Sequence, residues 1–210
     1  MSSVHPKLIL HSDQSVKLTS ELDKEILLSM TGKRRPKITY IPSVPDPYRR
    51  YFLKKLEYYT KIGFPDVVYF DPEESCSQRD IESVFSADVV HLSGGEVTSF
   101  CNRLRFTQCD RHLQTFAARG GVILGVSAGA MLLGKTFQSA SLFGERGCFE
   151  GLGFFDFEIV PHASEMFPRL DLLEKFARTH NKPVYVLNDG DVVLITGKKI
   201  KTRGNVVVLG

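Results

Sequence analysis

Gly125-Val126-Ser127-Ala128-Gly129-Ala130 is the segment of this sequence best suited to chemistry. It follows the apolar run Val122-Ile123-Leu124 and precedes Met131-Leu132-Leu133, giving the strand, tight turn and helix that a G-x-S-x-G nucleophile turn requires. Small neighbours let the backbone turn sharply without a Cβ clash, and the Ser127 hydroxyl then projects above the sheet at the start of a helix. The Ala128 amide is free to donate to a developing oxyanion, and the helix N-terminus adds a favourable field. Ordinary turns and phosphate cradles share this glycine-bracketed pattern, and the strand–turn–helix setting favours the nucleophile. Leu92-Ser93-Gly94-Gly95-Glu96 also ends a strand and opens a helix. In a parallel sheet both turns leave the same carboxyl edge, where ligands bind. Amides around Gly94 and Gly95 would then supply the other half of an oxyanion hole, with a plain tight turn as the alternative.

A serine hydroxyl needs a base, and imidazole has a suitable unperturbed pKa. Six histidines are available. His5 and His11 lie by the first strand, His112 and His180 fall on helices, and His91 sits inside a strand, where a core role suits it. His162 ends a strand, after Pro161 and before a helix, so it can overhang the same sheet edge as Ser127. Carboxylates to orient the imidazole are offered by Asn188-Asp189-Gly190-Asp191, between two late strands, although Asp/Gly pairs are also ordinary turn residues. Glu145, Glu150 and Asp156 stay open, because the chain order of a triad differs between folds. Arg169, in Phe167-Pro168-Arg169, falls near the start of the helix after His162. Its guanidinium would either clamp a substrate carboxylate or stand in solvent, alone or paired with Glu165 or Glu174.

Positioning these groups requires alternating strands and helices. Apolar runs predict strands at Lys7–Leu10, Ile38–Pro42, Val67–Phe70, Val89–Leu92 and Val122–Val126, short enough and apolar enough to be covered on both faces. Helices are expected near 17–30, 47–62, 78–86 and 97–118, the last broken around Cys109-Asp110. Later come a short helix from Ala128, an irregular stretch through Gly153, a strand at Phe157–Val160 and a helix from Glu165 to Thr179. Strands at Val184–Leu187, Val192–Thr196 and Val206–Leu209 close the chain. The pattern predicts a single α/β domain over residues 1–210 with a mostly parallel sheet.

Composition narrows the function classes. The net charge of +3 is too small to point to nucleic acid. The basic clusters Lys33-Arg34-Arg35 and Lys198-Lys199 with Lys201 and Arg203 read as solvated turns, since no aromatic platform is interleaved with them. No apolar run approaches the roughly 18–20 residues of a spanning helix, and the N-terminus lacks a secretory signal, so a cytosolic location is expected. Cys76, Cys101, Cys109 and Cys148 form no C-x-x-C pair and have no histidine at zinc-finger spacing. They read as free thiols rather than metal ligands, and neither metal nor cofactor is expected.

Strand–Gly-Gly–helix, then G-x-S-A-G-A, then Val160-Pro161-His162, in this order over most of the chain, resembles peptidase E, the aspartyl dipeptidase family, and its relatives the cyanophycinases. The resemblance implies a class I glutamine amidotransferase-like fold, a three-layer α/β/α sandwich. It further implies a cofactor-free serine peptidase acting beside aspartyl residues of short peptides, with Ser127, His162 and an acid as its triad. Asp191, at the start of the strand Val192–Ile195, resembles in position the family's third triad acid, a Glu in the members this sequence resembles, and so ranks first, ahead of Asp189. One departure bears on substrate. Where the family often has Asn-Thr after the glycine pair, this chain has Glu96-Val97, and an inward-pointing Glu96 would disfavour acidic substrates. A short peptide is the expected partner, with no nucleic acid or membrane, and a homodimer is left open.

Overall fold

The computed structural model describes residues 6–74, 77–166 and 169–210. Seven strands form the main sheet in the order β3-β2-β4-β5-β1-β8-β9. β1 (Lys7–His11), β2 (Ile38–Ile41), β3 (Val67–Tyr69), β4 (Val89–Leu92) and β5 (Val122–Val126) run parallel. Each is separated from the next by helix: α1 (Val16–Thr31), α2 (Arg50–Lys61), α3 (Gln78–Val84), and the pair α4 (Val97–Phe106) and α5 (Cys109–Ala118). The break at Cys109 falls where the sequence predicts it. Gln108, in a left-handed conformation at φ 58°, divides the two helices.

Both faces of the sheet are covered, as near-continuous apolar strands require. The two-residue period of β1 shows how. Leu8 and Leu10 join the core built with α4 and α5, whereas Ile9 joins the core built with α1 and α2. The expected α/β sandwich with its mostly parallel central sheet is present.

The last third of the chain departs from a single sheet. β6 (Glu158–Val160), β7 (Val184–Val186) and β10 (Val207–Leu209) form a separate three-stranded sheet in the order β10-β7-β6. After the short helices α6 (Ala128–Met131) and α7 (Ala163–Met166) comes α8 (Leu170–His180), and the small sheet packs with it around Val160, Leu173, Phe176 and Val184. β8 (Val192–Thr196) returns to the main sheet, antiparallel to β1, and β9 (Lys199–Arg203) follows as its edge. Lys199, Lys201 and Arg203 therefore lie on a strand, not on a turn. All five residues of β9 are exposed, and a charged edge carries no apolar alternation to read while discouraging edge-to-edge pairing.

Register sets the heights of the turns. Leu10 and Leu92 both align with Gly125. Ser12, Gly94 and Ser127 each lie two residues beyond that row, at the carboxyl edge of the sheet. Among the described residues, no helix is long and apolar enough to cross a membrane. Cys101 and Cys109 are buried and Cys148 is exposed, while Cys76 lies outside the described residues.

Candidate active site

Ser127 occupies the corner between β5 and the short helix α6 (Ala128–Met131) at φ 51°, ψ −113°. Such a conformation costs a non-glycine residue energy, and it persists because the surroundings fix it. The Ser127 amide donates to the His11 carbonyl at the end of β1 (2.9 Å), and its carbonyl accepts from Ala130 and Met131 at 2.9 and 3.0 Å. Gly129 allows the close approach of α6 to β4, since a Cβ there would lie 2.3 Å from the Leu92 carbonyl oxygen.

His162 follows β6 in the small sheet, also at positive φ (57°). Its Nε2 lies 3.1 Å from Ser127 Oγ, and its Nδ1 lies 2.8 Å from Asp189 Oδ1. Both ring nitrogens are therefore engaged, one on the hydroxyl and one on the carboxylate. Histidine and aspartate are each partly open to solvent.

Asp189 and Asp191 are separated by a turn. The Asp191 amide donates to the Asn188 carbonyl (2.9 Å), and Gly190 takes the φ of 95° that reverses the chain. Asp189 is left at the tip, facing His162. Asp191, ranked first from sequence, does not reach the imidazole. Its carboxylate is buried and accepts the amides of Asn188 (2.8 Å) and Asn205 (2.9 Å), tying this turn to the one between β9 and β10. The remaining acids are engaged elsewhere: Glu145 accepts from Thr98 Oγ1 at 2.9 Å, Glu150 lies 3.9 Å from Arg105, and Asp156 pairs with Lys182 and Lys135.

Ser12 is a residue that the sequence did not mark. Its buried hydroxyl donates to Asp189 Oδ1 at 3.0 Å and accepts the His162 amide at 2.8 Å. It thus fixes the acid and the backbone of the histidine together. No motif marks it, and only the register that places it beside Ser127 exposes the role.

Gly94 lies against the serine, close enough that a Cβ on it would be 3.5 Å from Ser127 Cβ. Its carbonyl accepts from Ser43 Oγ (2.7 Å) and Ser93 Oγ (3.1 Å). Since the peptide unit is planar and trans, this turns the Gly95 N–H to the opposite side. The Gly95 and Ala128 amides donate to no described protein group.

Glu96 caps α4 by accepting from the amides of Thr98 (2.9 Å) and Ser99 (2.7 Å). Its carboxyl is held down at about 2: burial works against ionisation, but hydrogen bonds from Glu145, Ser99 and Thr98 outweigh it. Glu96 therefore faces its own helix and does not line the cavity at Ser127. Arg169, outside that cavity too, is exposed and donates to the Leu142 carbonyl at 3.0 Å. Of the two roles the sequence leaves open for Arg169, the solvent-exposed one is observed rather than the carboxylate clamp.

A cavity of about 430 Å³ opens over Ser127, His162, Gly94 and Gly95, with walls that include Tyr40, Tyr51, Lys54 and Lys55. Lys54 and Lys55, neither singled out by the sequence, are its cations. The arrangement can move a proton from a hydroxyl to an imidazole whose other nitrogen is held by a carboxylate, beside amides able to receive negative charge.

The model of peptidase family S51 matches residues 8–203. The structure of a peptidase from an acI-B1 Actinobacterium superposes with a TM-score of 0.73 at 18% identity, covering 100% of this chain and 92% of that one. A protein described as peptidase E from Listeria monocytogenes EGD-e superposes with a TM-score of 0.71 at 20% identity, covering 94% and 98%. No curated protein matches the chain.

Proposed function

Since the chain belongs to peptidase family S51, we propose that this serine peptidase cleaves short peptides, dipeptides with an aspartyl residue foremost, through Ser127, His162 and Asp189. One observation carries the reading: the continuous run Ser127 Oγ–His162 Nε2, 3.1 Å, and His162 Nδ1–Asp189 Oδ1, 2.8 Å, at the wall of the cavity of about 430 Å³. Ser127 attacks the scissile carbonyl while His162 takes its proton. The Gly95 and Ala128 amides receive the tetrahedral oxyanion. His162 then protonates the leaving amine, the acyl-enzyme forms, and a water activated by the same imidazole releases it. Asp189 holds the tautomer and stabilises the imidazolium, with Ser12 steadying its carboxylate. A cytosolic setting fits the chemistry, which consumes only peptide and water.

A serine-directed fluorophosphonate tests the mechanism, and a panel of Asp-Xaa, Xaa-Asp and neutral dipeptides tests the substrate. Labelling at Ser127, abolished in Ser127→Ala, is expected together with faster turnover of the aspartyl peptides. An unlabelled, folded protein would overturn the mechanism. Labelling with uniform turnover of the panel would overturn the aspartyl preference alone.

A further inference from the structure

Lys55, on α2, lines the cavity that holds Ser127 and His162. Its ammonium is held by neutral oxygens only. Nζ donates to the Gln14 carbonyl and to Gln14 Oε1, both at 3.1 Å, and the Tyr58 ring lies 5.2 Å away. Among the described residues no carboxylate stands within ion-pair distance of it. An ammonium has three N–H donors, so one remains beyond the two given to Gln14.

This placement is built from beneath. Gln14 Nε2 donates to Asp23 Oδ2 at 2.6 Å, which leaves Gln14 Oε1 for the lysine. Asp23 also accepts from Tyr58 (2.5 Å) and lies 3.0 Å from His11 Nε2, all in the buried core. The lysine is thus oriented by a fixed amide while its charge is left without a contact partner. Burial lowers its pKa, whereas the fields of Asp13 and Asp23 act in the opposite sense. Desolvating a cation without an ion partner is costly, and an anionic ligand in the cavity would offset that cost.

We propose that Lys55 is the anion subsite of this cavity, its ammonium binding a carboxylate of the peptide whose scissile carbonyl meets Ser127. The inference rests on the peptidase reading above and adds to it the group that reads substrate charge. Two carboxylates of a short peptide share this chemistry, the acidic side chain and the free C-terminus. The cavity takes one of them at Lys55, and the peptides below tell which.

Four substrates separate the sources: Asp-Leu, Asn-Leu and the C-terminal amide of each, with kcat/KM measured for the wild type and Lys55→Met. In the wild type at least one acid-to-amide ratio should exceed about ten-fold, and that ratio should fall to about two-fold in the variant. Ratios unchanged by the substitution overturn the proposal, including an equal loss on all four peptides. Calorimetric binding of succinate keeps the test independent of turnover. Succinate should bind the wild type at least ten-fold more tightly than it binds Lys55→Met, and at least ten-fold more tightly than succinamide binds the wild type. Equal affinities in the second comparison overturn the subsite even if the variant fails to fold. Absent fluorophosphonate labelling with intact succinate selectivity would instead overturn the peptidase mechanism and spare the subsite.

Discussion

Two histidine–aspartate pairs meet the end of β1, and they do different things. His11 Nε2 and Asp23 Oδ1 are 3.0 Å apart with both side chains fully buried, whereas His162 Nδ1 and Asp189 Oδ1 are 2.8 Å apart with both partly exposed. Distance does not distinguish them. Surroundings do: Asp23 is wrapped by Tyr58 and Gln14, and among the described residues His11 Nδ1 has no hydrogen-bond partner, while the far nitrogen of His162 meets Ser127. β1 serves both pairs. Its last residue, His11, belongs to the buried pair and holds the Ser127 amide, and the next residue, Ser12, braces the exposed pair. A His–Asp contact therefore reports a site only when its other nitrogen reaches a reactive group and solvent reaches both.

The contrast breaks most sharply at the proposed nucleophile. Ser127→Ala should lower kcat by about 10⁴-fold or more and leave the fold intact, measured by dipeptide turnover beside circular dichroism. His162→Ala should approach the same loss, and the double variant should be little worse than either, because groups acting as one unit are not additive. Multiplying losses would separate the two residues. Asp189→Asn should cost about 10²–10⁴-fold in kcat through the wrong imidazole tautomer, with little change in thermal midpoint.

Asp23→Asn should show the opposite signature. Removing one partner of a fully buried pair costs about 3–5 kcal/mol of stability, so urea unfolding should move well before any direct effect on the chemical step. The pH dependence follows with a definite sign. Burial raises the Asp23 carboxyl, but His11, Tyr58 and Gln14 together outweigh this and lower it. The stabilisation it contributes is therefore complete above the ordinary carboxylate range and is lost as pH falls through the lowered value. Urea midpoints from pH 7 to pH 3 should fall less steeply in the variant, and parallel curves would refute the assignment. Smallest of all, Ser12→Ala should reduce kcat by about ten-fold with KM nearly unchanged. A larger effect on KM would mean that Ser12 shapes the cavity rather than the His162–Asp189 alignment.

The sequence made the placement of Ser127 and His162 legible because each stands at a strand end with a recognisable local signature. The parallel half was equally open, since doubly covered strands are plain apolar runs. Asp189 was harder to rank. Two aspartates flank one glycine in a four-residue turn, and only the turn's geometry decides which carboxylate meets the imidazole and which accepts backbone amides. β9 was hidden by its charges, and the separate small sheet by strands too short to reveal their partners. Lys55 lies mid-helix at an unremarkable position, so its place on the cavity wall depends on tertiary packing.

The corner at Ser127 also sets where this scaffold is free to evolve. A Cβ at Gly125 would lie 2.4 Å from the Gly129 carbonyl oxygen, and one at Gly129 would lie 2.3 Å from that of Leu92. Neither position admits even an alanine unless the backbone shifts, so inheritance at the corner is close to all or nothing. Val44, Tyr51 and Lys54, on the rim of the same cavity, are exposed and carry no such constraint. Drift among descendants of this chain is thereby channelled to the rim, where the cavity walls can change while the corner is handed down unaltered.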